Sequence, residues 1–268
     1  MSANRADADF LAREIAHRMD ARLDVMRIAP RRVLDLGCGA GDDLVRLGER
    51  YPLAERIGAD IDASLLTLAR QRLAPPKRGL RRLFTKAAPA VQLVAADARR
   101  LPLPEASASL VWSNLMLPAV DDPLPILLEM RRVTEPGGLV MFSSLGPDTL
   151  RELRAMRPEG RQRFIDMHDL GDALLQAGFS DPVMDMEMLT LTYAGADDLF
   201  ADLRAFGLIG DDEASEEIEK EIETLRRDGR LAVSIEIVQG HAWRADASPR
   251  VPRADGRAVL LRRARATP

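Results

Sequence analysis

Residues 33–41 run Val-Leu-Asp-Leu-Gly-Cys-Gly-Ala-Gly, the part of the 268-residue chain whose residue types and spacing say most about chemistry. Gly37, Gly39 and Gly41 let a chain leaving a buried strand turn tightly, with no side chain between its backbone and a ligand. Cys38, inside the turn, reads as a small residue filling a tight space, not as a nucleophile. Asp35 ends the strand. Asp42 and Asp43 follow the last glycine, where carboxylates suit the positive start of a helix. A second apolar run ends at Ile57-Gly58-Ala59-Asp60. It puts Asp60 at the offset of about twenty residues where a carboxylate meets ribose hydroxyls, and Ile61 beside it.

The glycine spacing is G-x-G-x-G, not the G-x-G-x-x-G that accepts a pyrophosphate at a helix start. Asp35, Asp42 and Asp43 would repel a phosphate. They suit a ligand with a ribose, an ammonium and a sulfonium, which is S-adenosylmethionine (SAM). On these residues the chain resembles the class I SAM-dependent methyltransferases. The resemblance implies that Asp97, ending the run Val91–Ala96, accepts from the adenine amine and that the Ala98 amide meets the ring. A carboxylate there can also be a plain helix cap. The loop Asn114-Leu115-Met116-Leu117 follows a fourth strand at Leu110–Ser113, on the side where the acceptor meets the methyl group. The cofactor set is then Asp35, Gly37, Cys38, Gly39, Gly41, Asp60, Ile61, Asp97, Ala98 and Asn114. No metal is expected.

These residues need a scaffold. Strands at about 32–36, 55–60, 91–96, 110–113 and 139–143 alternate with helices at about 42–50, 63–73 and 124–134. Glu135-Pro136-Gly137-Gly138 reads as the turn into the fifth strand. The order implies an α/β fold: a doubly wound, mostly parallel, seven-stranded Rossmann-like sheet. Phe10, Leu11, Ile15, Met19, Leu23 and Met26 have helical spacing, so residues 6–28 predict an amphipathic leader helix. Helices are expected at about 147–156 and 168–177, and two last strands at 182–193 and 232–239. Between those strands lies a helical insertion, about 195–229, with the acidic run Asp211–Glu217, read as a lid or a solvated hairpin. The domain is expected to span 1–244. The Arg-rich tail 245–268 has few apolar residues and is expected to lack order. The loop 74–89 carries Lys77, Arg78, Arg81, Arg82 and Lys86, read as solvated because it lies at the edge away from ligands.

Longer segments narrow the likeness. They are Ser113–Leu117 with Asp121-Asp122-Pro123, Phe142–Leu150, Phe164–Leu170, Ala177-Gly178-Phe179, Pro182–Glu187 and Gly240-His241-Ala242-Trp243-Arg244. Over about residues 8–244 the chain resembles the malonyl-[acyl-carrier protein] O-methyltransferase family of biotin synthesis, which implies SAM as cofactor and a malonyl-bearing acyl carrier protein as partner. It is similar in the same places to mitochondrial complex I assembly factors, for which SAM-dependent arginine hydroxylation is described. A SAM-binding assembly factor, a protein-modifying relative or a methyltransferase for another small metabolite therefore stay open. The chain departs from its relatives at Ala108-Ser109, at Pro118-Ala119 and in the acidic 206–230 stretch.

A malonyl carboxylate is an anion at neutral pH and needs no general base. A carbon or phenol acceptor would, and His17, His168 and His241 are the candidates, each in or beside a packed element. Arg154 and Arg244 are candidate cations for the acceptor. The catalytic residues are not legible, nor is the oligomeric state. A net charge of −4 argues against nucleic acid, and a single cysteine excludes a disulfide framework. No apolar run spans a bilayer and no signal-peptide core is visible, so a cytoplasmic enzyme is expected.

Overall fold

In the computed structural model, which describes residues 4–74, 89, 91–156, 164–205, 222–224, 226–245, 250–252 and 258–260, one mixed sheet runs through the molecule. Its strands are β1 (Arg32–Leu36), β2 (Glu55–Asp60), β3 (Val91–Ala95), β4 (Ala108–Ser113), β5 (Thr134–Leu145), β6 (Ser180–Tyr193), β7 (Arg226–Arg227) and β8 (Arg230–Trp243). The order is β3-β2-β1-β4-β5-β8-β6, with the short β7 on β8. β1 to β5 are parallel. β8 is antiparallel to both β5 and β6, so β6 again runs with the first five. The sheet thus has eight strands where seven were expected, the eighth being a two-residue hairpin arm.

Helices α1 (Asn4–Arg22), α2 (Asp42–Arg50), α3 (Ala63–Arg72), α4 (Leu124–Val133), α5 (Met167–Gln176) and α6 (Ala196–Ala205) cover the sheet. Because both faces are covered, inner strands such as β1 and β4 are apolar without alternation. On one face Leu11, Ile15 and Met19 of α1 pack with Leu47, Trp112, Met141 and Leu199. On the other, Ile126, Met130, Leu170 and Leu174 pack with Leu34, Val111 and Phe142. Asp62 caps α3 by accepting from the Ser64 amide at 2.7 Å. Gly178, at φ +88°, ends the segment after α5, as its sequence predicts.

α1 is pinned to the far edge as well: Arg18 pairs with Glu187 and Arg22 with Asp185, both on β6. Since β6 ends and β8 begins at the carboxyl edge, the 194–229 connection leaves from the edge where β1 presents its glycine turn. Its described helix α6 joins the same apolar layer as α1, through Leu199, Phe200 and Leu203.

Several expectations change. The leader helix ends at Arg22, and Phe10 is solvent-exposed, because the buried stripe runs through Leu11, Ile15 and Met19. Glu135–Gly138 belongs to β5, whose pairing with β4 slips between Ala108 and Leu110 to take up the extra residues. The expected helix at 147–156 is a 3-10 turn over Arg151–Met156. In the tail, 250–252 and 258–260 pair as two antiparallel strands. Most of the basic loop 74–89 and all of the acidic run at 211–217 lie outside the described residues. No described helix is long and apolar enough to cross a membrane.

Candidate functional site

β1 ends in the glycine turn. Gly37, Gly39 and Gly41 have φ of +77°, +50° and +84°, all in the left-handed region that favours glycine. The Gly37 and Cys38 amides donate to the Ala59 carbonyl at 2.8 and 3.1 Å, which ties the turn to β2. Asp60 completes the tie. Its Oδ2 accepts from the Gly39 amide at 2.8 Å, and its Oδ1 accepts from the Asp62 amide at 2.9 Å. A Cβ added at Gly39 would meet no atom of the described residues within 4 Å, so this glycine faces open space. The space is a cavity of about 790 Å³ whose wall includes Gly37, Gly39, Asp60, Ile61, Asp97, Ala98 and Asn114.

The turn is electrostatically loaded. Asp35 is 1 % exposed, and its Oδ2 has no hydrogen-bond partner among the described residues. Burial, then the charges of Asp43, Asp60 and Asp42, push its carboxyl well above the usual range. Asp43 is pushed up by burial too, against hydrogen bonds from Trp112 and Asn114. Burial and then Asp35 and Asp60 raise the Cys38 thiol, which disfavours the reactive thiolate. Cys38 packs with Leu44 and Leu66, as a small space-filling residue should.

The far wall carries an ion pair. Asp97 does face the cavity, but Arg99 grips its carboxylate through Nε at 3.0 Å and Nη2 at 2.6 Å. That guanidinium holds the Asp97 carboxyl down at about 2. Ile61 is 75 % exposed on the rim, an apolar surface left open beside the acid.

Asn114 lines the cavity, yet its amide is committed elsewhere. Nδ2 donates to the Ala12 carbonyl of α1 at 2.9 Å and to Asp43 Oδ2 at 3.1 Å, while Oδ1 accepts from the Ser143 hydroxyl at 2.8 Å. The next residue, Leu115, has φ +54°, and its amide donates to Ser143 Oγ at 2.9 Å. Met116 then fills the room that Gly37 leaves: a Cβ at Gly37 would fall 2.6 Å from Met116 Cβ and Cγ.

Other candidates lie apart from the cavity wall. His17 Nδ1 meets Arg46 Nη1 at 3.1 Å. His168 is exposed and pairs with Asp166 at the start of α5. His241 is half-buried on β8, its pKa lowered by burial and by Arg22. Arg244 is not available to an acceptor: its Nη1 donates to the carbonyls of Arg131, Arg132 and Thr134 and its Nη2 to Glu105, at the amino edge of the sheet. The Arg154 side chain lies outside the described residues. Sequence reasoning missed Arg99 and Ser143, and gave Met116 only a place in the acceptor-side loop. Ser143 and Met116 stood within segments that carried the family likeness, but no local spacing marks them.

Residues 34–142 match a family model described as a methyltransferase domain. The chain is 44% identical to the malonyl-[acyl-carrier protein] O-methyltransferase of Laribacter hongkongensis, over 94% of this chain and 89% of that protein. It is 39% identical to the protein of the same name from Methylovorus sp., over 97% and 90%. The solved structure of the YcgJ protein from a Bacillus shares the fold, with a TM-score of 0.62 and 16% identity, covering 86% of this chain and 99% of that one.

Proposed function

Because this chain belongs to the malonyl-[acyl-carrier protein] O-methyltransferase family, we propose that it moves a methyl group from SAM to the free carboxylate of a malonyl group held on an acyl carrier protein. The reaction would serve biotin precursor synthesis in the cytoplasm. Bound at the glycine turn, SAM supplies an electrophilic methyl group on a sulfonium.

The residues present fit that cofactor. Asp60 keeps lone pairs for a ribose diol after accepting from Gly39 and Asp62. Gly39 leaves open space for a ligand against the backbone. The buried Asp35 Oδ2, without a hydrogen-bond partner among the described residues, is the observation that carries the reading, because an isolated buried carboxylate is costly unless a cation offsets it. The ammonium and sulfonium of SAM are such cations. Ile61 supplies an apolar rim and Ala98 a backbone amide for the adenine. Asp97 accepts from the adenine amine, sharing its oxygens with Arg99. Gly37, Cys38 and Gly41 shape the turn, and Asn114 bounds the cavity toward the acceptor.

The chemistry asks little more of the chain. A malonyl carboxylate oxygen forms the bond to the methyl carbon while the carbon–sulfur bond breaks, leaving S-adenosylhomocysteine. No proton moves, so no base is required. Opposite charges cancel along the path, and a site that excludes water favours that cancellation. The chain's part is to align the reacting groups, which supplies much of the rate.

The test uses carrier protein loaded with malonyl, acetyl or nothing, incubated with the enzyme and methyl-labelled SAM. Label should appear on the malonyl-loaded carrier alone. Equal labelling of acetyl-loaded carrier would refute a carboxylate acceptor, and label on neither would refute the carrier as substrate.

A further inference from the structure

Asn114 ties three parts of the chain that are far apart in sequence. The leader helix comes through the Ala12 carbonyl at 2.9 Å, the first turn of α2 through Asp43 at 3.1 Å, and β5 through the Ser143 hydroxyl at 2.8 Å. Both amide hydrogens and one lone pair of the oxygen are used. The same Ser143 oxygen accepts from the Leu115 amide at 2.9 Å. Leu115 has a left-handed φ of +54°, which costs a branched residue free energy and persists only where its surroundings enforce it. Asp43 follows the glycine turn by two residues, and its Oδ2 also accepts from Trp112 Nε1 at 2.9 Å. One side chain therefore fixes the bend after β4, the start of the helix after the cofactor turn, and a carbonyl of α1.

We infer that Asn114 is a positioning residue for methyl transfer: it docks the leader helix α1 and the Leu115 bend together against the cofactor turn, so that the wall facing the acceptor is set when the cofactor site is formed. The inference rests on the proposed methyl transfer and deepens it. Asn114 borders the cavity, but its amide is spent on the protein and not on the cofactor. Its contribution lies in alignment. A displacement of about 1 Å at the reacting groups can cost on the order of a hundredfold in rate.

Asn114→Ala and Ser143→Ala test this together. For Asn114→Ala, kcat with malonyl-loaded carrier should fall about ten- to hundredfold, while the affinity for S-adenosylhomocysteine stays within about threefold. Ser143→Ala keeps Asn114 and removes only the hydroxyl, so its kcat should fall less, again with cofactor affinity kept. Asn114→Ala should also speed amide hydrogen exchange along residues 10–22 in the S-adenosylhomocysteine complex, a readout that needs no acceptor. A parallel loss of S-adenosylhomocysteine affinity in Asn114→Ala would overturn the inference and make Asn114 a cofactor ligand. Unchanged kcat and unchanged exchange would overturn it as well. If wild-type protein transfers no methyl group to malonyl carrier, the proposed function fails. The exchange and affinity measurements then still decide whether Asn114 couples α1 to the cofactor turn.

Discussion

Asp60 and Gly39, twenty-one residues apart, are joined by a 2.8 Å hydrogen bond from the Gly39 amide to Asp60 Oδ2, so the acid that ends the second strand also closes the turn that ends the first. The carboxylate proposed to hold the ribose and the glycine turn are thus one unit, and damage to either reaches the other.

Asp60→Ala should remove both the ribose acceptor and the clasp on Gly39. A lost charged hydrogen bond in a partly buried site is worth about 1.5–3 kcal/mol, which predicts a ten- to hundredfold loss of SAM affinity by calorimetry. Asp60→Asn should lose less, because one oxygen remains to accept. Unchanged affinity in Asp60→Ala would remove it from the site.

Gly37→Ala and Gly39→Ala should separate packing from binding. At Gly37 the new Cβ would fall 2.6 Å from Met116, at φ +77°. The fold should lose about 1–3 kcal/mol, seen as a lower thermal midpoint. A Cβ added at Gly39 would meet no atom of the described residues within 4 Å, so the fold bears only the backbone strain. The methyl group enters the cavity instead, and SAM affinity should fall more than stability.

Asp35 gives a pH-dependent prediction. Its folded pKa is raised, chiefly by burial and then by Asp43, Asp60 and Asp42. The stability that the neutral carboxyl contributes is fully present below the ordinary value of about 3.9 and is lost as pH rises through the folded pKa. Asp35→Asn removes that ionisation. The ligand-free variant should gain about 1–3 kcal/mol at pH 8, a gain that shrinks toward pH 4, and it should bind SAM more weakly. Thermal melts across pH check the first part and calorimetry the second. A variant less stable than wild type at pH 8 would contradict the assignment.

Arg244→Ala separates a structural role from an acceptor-binding one. The guanidinium satisfies three main-chain carbonyls and Glu105, and its side chain is 12% exposed. Losing it should cost about 2–4 kcal/mol of stability while leaving kcat and the acceptor KM of the folded fraction intact. A raised acceptor KM without a stability loss would restore it to the acceptor site.

The glycine turn and its tie to Asp60 could be read in the sequence because their signals are local. Three glycines, a carboxylate at each end of the turn and a further acid at a fixed offset follow from how a parallel βαβ unit is built. The Asn114 side of the cavity is written in contacts between distant segments. Ala12, Asp43, Asn114 and Ser143 meet only because α1 crosses the β4–β5 region. Arg244 misled for a topological reason: β8 runs antiparallel to β5, so the residue after Trp243 emerges at the amino edge, away from the cavity. The bend at Leu115 was equally hidden, since nothing in the type of a leucine predicts a left-handed φ.

Methyl transfer to a carrier-bound malonyl carboxylate is decided by the intact mass of malonyl-loaded acyl carrier protein after incubation with enzyme and SAM. The malonyl-bearing carrier should gain one methylene mass, matched mole for mole by S-adenosylhomocysteine and reversed to the starting mass when the ester is hydrolysed. An unchanged carrier mass, with an enzyme that binds SAM, would contradict it.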